Sequence, residues 1–117
     1  MRTGGLASGA VHRHRPTEPL AIALERAYGA ALYLDRTHAG VADRVAEVVE
    51  AATCDEPWTA MRWMILGALV RRACEGLDTG FGTSHTDHAL RTLRLQLALA
   101  LREAYAEIPI GAHDPAS

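Results

Sequence analysis

Residues 86 to 107 read TDHALRTLRLQLALALREAYAE. At 100° per residue, Leu90, Leu93, Leu97, Leu101 and Ala104 fall on one side of a helix, while Leu95, Leu99 and Ala106 fall nearly opposite. A helix packed in a small monomer needs one apolar stripe to meet its core. The second stripe, flanked by Arg91, Arg102 and Glu103, therefore reads as an interface, most simply with a second copy of the chain. The competing explanation is that scattered surface leucines are ordinary, because folded proteins leave much apolar area in water.

Working upstream, the helical period recurs three times. Leu20, Leu24, Ala27, Ala31 and Leu34 repeat at steps of three and four, with Thr17 placed to cap and Pro19 in the first turn, which predicts a helix over about 18–36. Ile22, Leu32 and Tyr33 lie off that stripe, and Ile22 and Tyr33 join Leu95, Leu99 and Ala106 as candidate interface residues. Gly29 sits inside this helix at a cost of about 1 kcal/mol relative to alanine. A second helix over about 39–53 puts Val41, Val45, Val48, Val49 and Ala52 on one side and Asp43, Glu47 and Glu50 on the other.

A third helix is expected from Trp58 to about Glu75, with Asp55 as cap, Glu56 and Pro57 in the first turn and Gly76 as the stop. It is apolar nearly all round. Met61, Ile65 and Ala68 line one side and Trp63, Leu66, Val70 and Cys74 the other. Such a helix must be enclosed by the other three or by another subunit, and a central position is expected. With no strand pattern and no internal repeat, the predicted fold is all-α: a four-helix, antiparallel, bundle-like domain forming a homodimer. A single helical domain over 17–108 lies between a basic arm at 1–16 and a tail at 109–117.

Composition narrows the class. At 117 residues, 49% hydrophobic and 22% charged, the chain is neither a wholly disordered polymer nor a fibre, and it can bury one core. All 12 cationic side chains are arginine and there is no lysine or asparagine, as codon bias in a GC-rich genome would produce. The net charge of −2 hides an asymmetry. The arm carries Arg2, Arg13, Arg15, His12 and His14 and no acid, whereas the remainder sets nine arginines against fourteen carboxylates, a balance of −5. An acidic body disfavours a nonspecific nucleic-acid surface.

Cys54 and Cys74 do not make a disulfide framework, and no secretory apolar stretch follows the start, so a reducing, cytoplasmic setting is expected. The longest apolar run, Trp63 to Val70, has eight residues, far below the roughly 20 of a membrane span.

The most chemically suggestive segment is the glycine- and hydroxyl-rich connection over 80–88. A loop feeding a helix N-terminus offers free N–H groups to an anion, which makes Thr83, Ser84, His85 and His88 the candidate ligand-binding residues. Capping explains Ser84 or Thr86 equally well. His85 and His88 stand one turn apart, as zinc ligands do, but two ligands do not make a site, and a third would have to come from His38, His113, Cys54, Cys74 or an acid. No metal or cofactor is therefore assigned. Neither a G-x-S-x-G sequence nor a cysteine signature appears, so no catalytic residue is assigned.

Three functions stand in order. The first is a non-enzymatic interaction or regulatory protein that acts through its helical surfaces as a dimer, with itself or another protein as partner. The second is a small-molecule or anion binder, or an enzyme, built on the 80–88 loop with His85 as acid or base. The third is a DNA-associated regulator using the basic arm together with Arg91 and Arg94.

Overall fold

The computed structural model of the protein describes residues 16–109. The basic arm before residue 16 and the tail after residue 109, with His12, His14 and His113, lie outside the described residues. Four helices follow one another: α1 Glu18–Leu34, α2 Val41–Thr53, α3 Ala60–Cys74 and α4 His85–Ala106. Among the described residues there is no strand, and no helix is long and apolar enough to cross a membrane.

Each helix begins where local chemistry satisfies its orphan N–H groups. The Thr17 side chain accepts from the Leu20 amide at 3.4 Å, and proline follows in the first turn. Helix α2 borrows its cap. Asp35, just past the end of α1, accepts from the amides of Gly40 at 3.0 Å and Ala42 at 3.1 Å, so one carboxylate fixes the corner between α1 and α2.

The third helix starts later than the sequence predicts. Thr59, not Asp55, is its N-cap, accepting from the Arg62 amide at 3.1 Å, and Trp58 lies in the preceding loop. The physical cause is Arg62. Its guanidinium donates to the carbonyls of Ala51 at 3.0 Å, Cys54 at 3.1 Å and Glu56, and lies 3.8 Å over the buried Trp58 ring. Those carbonyls and that ring hold the chain out of helical geometry until Thr59.

The core grows from the predicted stripes. Leu20, Leu24, Ala27, Ala31 and Leu34 of α1 are buried with Leu90, Leu93, Leu97, Ala100 and Ala104 of α4. These two helices form the most extensive contact, and they run antiparallel: Ile22 near the start of α1 meets Leu99, while Tyr33 near its end meets His88. Alanines at the contact let the backbones approach closely. Helix α2 packs Val41, Val45, Val48 and Ala52 inward, and α3 adds Leu66, Val70 and Ala73. Neighbours in the sequence touch, and α4 returns to α1, as in a bundle.

Helix α3 does not hold the central place its composition predicts. It makes a small contact with α4, fixed by the Trp63 indole donating to the Leu101 carbonyl at 2.8 Å and by an edge-to-face approach of Trp63 to Tyr105, with centroids 5.2 Å apart. One side stays open. Met61 is 70% exposed, Met64 65% and Ile65 55%. The centre belongs to α1 and α4, because their alanine-rich stripes seat tightly against each other and leave a third bulky helix to dock at the margin.

On α4 the two leucine stripes part only partly: Leu97 is fully buried and Leu95 57% exposed, but Leu99 of the outer stripe and Leu101 of the inner one are both half-buried against the core, and Ala100 takes the buried place expected of Leu101. Leu97→Ala should therefore cost about 2–5 kcal/mol in urea unfolding, while Leu95→Ala, two residues away, changes stability by about 0.5 kcal/mol or less at a concentration where the protein is monomeric.

Candidate functional site

The 77–84 connection is fastened to α4 by two arginines that the sequence presents as possible phosphate contacts. Arg91 donates to the carbonyls of Gly80 and Gly82, the latter at 2.7 Å. Arg94 donates to the carbonyls of Leu77 at 2.8 Å and Asp78 at 3.4 Å. Both guanidiniums thereby tie loop carbonyls to α4 by charge-assisted hydrogen bonds.

Gly80 is the point of closest approach. Its φ is +73°, and a Cβ there would stand 2.5 Å from the Asp87 carbonyl oxygen and 2.9 Å from the Leu90 Cβ. Only glycine meets both conditions.

Ser84 is the N-cap of α4 and forms a reciprocal capping box with Asp87. Its Oγ accepts from the Asp87 amide at 3.0 Å and donates to the Asp87 carboxylate at 2.7 Å, while that carboxylate also accepts from the Ser84 amide at 3.3 Å. The hydrogen bond from the Ser84 hydroxyl, with the Ser84 and Gly82 amides and the Arg91 charge, holds the Asp87 carboxyl below the usual carboxylate range. The chain's own carboxylate thus sits where an external anion would approach this helix end.

The predicted ligand residues are only partly brought together. His85, His88 and Ala89 line a shallow depression of about 410 Å³ with Tyr33 of α1, whereas Ser84 serves the cap and Thr83 lies exposed in the loop. Tyr33, read from the sequence as an interface residue, therefore neighbours the two histidines. Among the described residues no group of three or more histidine, cysteine, aspartate or glutamate side chains could hold a metal ion. Cys54 and Cys74 are both free thiols. Burial pushes the Cys74 thiol up, with the Arg94 charge pulling the other way, so the thiolate a nucleophile needs is disfavoured.

The predicted interface residues are also only partly brought together: Leu95 and Ile22 are exposed, Leu99 is half-buried against the core, and Tyr33 lies apart beside the histidines. Ile22 and Leu99 line one groove of about 410 Å³ between α1 and α4, with Ala23 and Gln96 between them and Arg26 and Glu103 at its margins. Leu95 stands on the same side of α4 between Leu99 and His88, and exposed Ala106 extends the stripe to the helix end. Two features escape a sequence reading. One is which side of the all-round apolar α3 stays open, that of Met61, Met64 and Ile65. The other is a groove of about 430 Å³ between α1 and α2, where Leu24, Val49 and Tyr28 are flanked by Glu25 and Glu50.

Compared with known proteins, the chain matches no family model, no curated protein and no solved structure.

Two outcomes follow from the loop. Gly80→Ala should lower unfolding free energy by more than about 2 kcal/mol, because left-handed backbone strain adds to the clash with Asp87. Asp87 has a depressed carboxyl pKa, so its contribution is present above the pKa of the unfolded chain and is lost as pH falls through the folded value. Asp87→Asn should therefore unfold at lower urea than the parent at about pH 7, and the gap should close as the pH approaches about 2. A gap that stays constant across that range would remove the capping box as its cause.

Proposed function

We propose that this chain is a small, non-enzymatic interaction protein that works as a dimer and acts through its helical surfaces in a regulatory role. The observation that carries this reading is that one small domain leaves two separate apolar helical faces without partners. One is Met61, Met64 and Ile65 on α3, and the other is Ile22, Tyr33 and Leu95 on the α1–α4 pair, with half-buried Leu99 between Ile22 and Leu95. Folding consumes one stripe of each helix, and exposed apolar surface beyond that is typical of association sites. Two faces suit two contacts, one with a second copy and one with a regulated protein.

The chemistry of the remaining candidates supports the same choice. The 80–88 loop is occupied with its own fastening: Arg91 and Arg94 bond loop carbonyls, and the Ser84–Asp87 box fills the N-terminus of α4. A DNA-associated role loses two of its candidate phosphate contacts by that arrangement, and an anion at α4 would meet the Asp87 carboxylate. An apolar helical face asks nothing of those groups.

Sedimentation velocity of the full chain should give about 25 kDa, twice the 12.6 kDa of one chain, at about 100 μM. A 12.6 kDa species at that concentration would overturn the dimer reading.

A further inference from the structure

The groove between α1 and α2 combines an apolar floor with two acids. Leu24 is buried and Val49 half-buried in it, Tyr28 and Ala46 are exposed along it, and Glu25 of α1 and Glu50 of α2 bring a carboxylate to each wall of a space of about 430 Å³. An apolar cleft of that size with a few convergent charges has the form of a ligand site. Neither carboxylate is neutralised within the domain. No arginine stands three or four positions from Glu25 or Glu50 on its own helix, and among the described residues neither takes part in an ion pair.

Three other grooves differ in charge. Arg26 shares the α1–α4 groove with Glu18 and Glu103, the Tyr33 depression holds His85 and His88, and a hollow of about 560 Å³ beside Gly67 carries Arg71. Of these four, the α1–α2 groove is the one with acids and no basic side chain, so it suits a cation that has an apolar neighbour.

The chain itself holds that chemistry. Residues 1–15 carry Arg2, Arg13 and Arg15 and no acid, with Val11 two positions before Arg13. Alternate residues of an extended segment share one side, so Val11 and Arg13 can face one surface together. Several arginines of the body are already engaged: Arg62, Arg91 and Arg94 bond carbonyls, Arg72 pairs with Glu47, and Arg36 lies over the Tyr33 ring. The basic segment also joins the domain at the mouth of the groove. Pro16 leads into the Thr17 cap, and Ala21, one turn further, lines the groove with Thr53 at the end of α2. From Thr17 to Tyr28 the helix rises about 16 Å, which about five extended residues cover, so residues 1–15 are long enough to turn back along it.

We propose that the chain's own basic segment, residues 6–15, docks in the α1–α2 groove, with Arg13 against Glu25 and Glu50 and Val11 on the apolar floor. The tether keeps the local concentration high, so exposed ion pairs too weak to hold a free peptide suffice. This contact is independent of the dimer reading, because it uses neither the Met61, Met64 and Ile65 side of α3 nor the Leu95 side of α4.

Disulfide trapping within the full chain tests it, in a background with Cys54→Ser and Cys74→Ala. At about 1 μM, where encounters between chains are rare, Val11→Cys with Ala46→Cys should close a disulfide within one chain at least about tenfold faster than Val11→Cys with Ala98→Cys, an exposed position on α4. Adding Glu25→Gln with Glu50→Gln should slow closure by about threefold or more, and Arg13→Gln should do the same without further slowing in the combined variant. Removing two carboxylates elsewhere, by Glu75→Gln with Glu103→Gln, should leave the rate unchanged. All these variants should keep the helical circular dichroism of the parent. Equal closure at Ala46→Cys and Ala98→Cys, closure indifferent to the groove glutamates and Arg13, or products formed only between chains would each overturn the proposal.

Discussion

The antiparallel contact between α1 and α4 sets the frame for everything else. Ala27, Ala31, Ala100 and Ala104 are fully buried there, and leucines at Leu20, Leu93 and Leu97 fill the space along them. Small residues bring the two backbones close, and close backbones leave little width for a third helix in the seam. Helix α2 is therefore placed by the Asp35 corner and its own valines, and α3 is left at the margin, tethered by the Trp63 indole to the Leu101 carbonyl. Exposure of Met61, Met64 and Ile65 is a consequence of that placement.

Much of the fold was legible in the sequence, for identifiable reasons. The stripes of α1, α2 and α4 are clean at helical spacing, and Thr17 and Gly76 mark ends by chemistry that acts within one turn. The start of α3 was not legible in the same way. Asp55, Glu56 and Pro57 form a plausible opening, but Arg62 reaches back across the turn to three carbonyls and the Trp58 ring, and such long-reach bonds leave no local pattern. The central place expected of α3 failed for a related reason. An all-round apolar helix must be covered, yet periodicity does not say whether its own chain or another supplies the cover.

The candidate site divides along the same line. Leu95 of the expected second stripe is exposed but Leu99 packs half-buried against the core, and the antiparallel pairing with α1 explains why Ile22 shares a groove with Leu99. The loop over 80–88 looked like an anion cradle because glycine and hydroxyl residues precede a helix. In the folded chain those same residues serve the loop itself: Gly80 for its positive φ, Ser84 for the cap, and Arg91 and Arg94 for the carbonyls. A sequence lists donors and acceptors without saying which of them satisfy one another.

The proposed function turns on whether the chain associates with a second copy through its exposed helical faces. Disulfide trapping between single cysteines, in a background with Cys54→Ser and Cys74→Ala, reads this directly. Chains carrying only Met64→Cys, or only Leu95→Cys, should crosslink to themselves at one of these two exposed positions if a second copy covers that face. No crosslinking at either position, with the helical circular dichroism unchanged, would contradict the account.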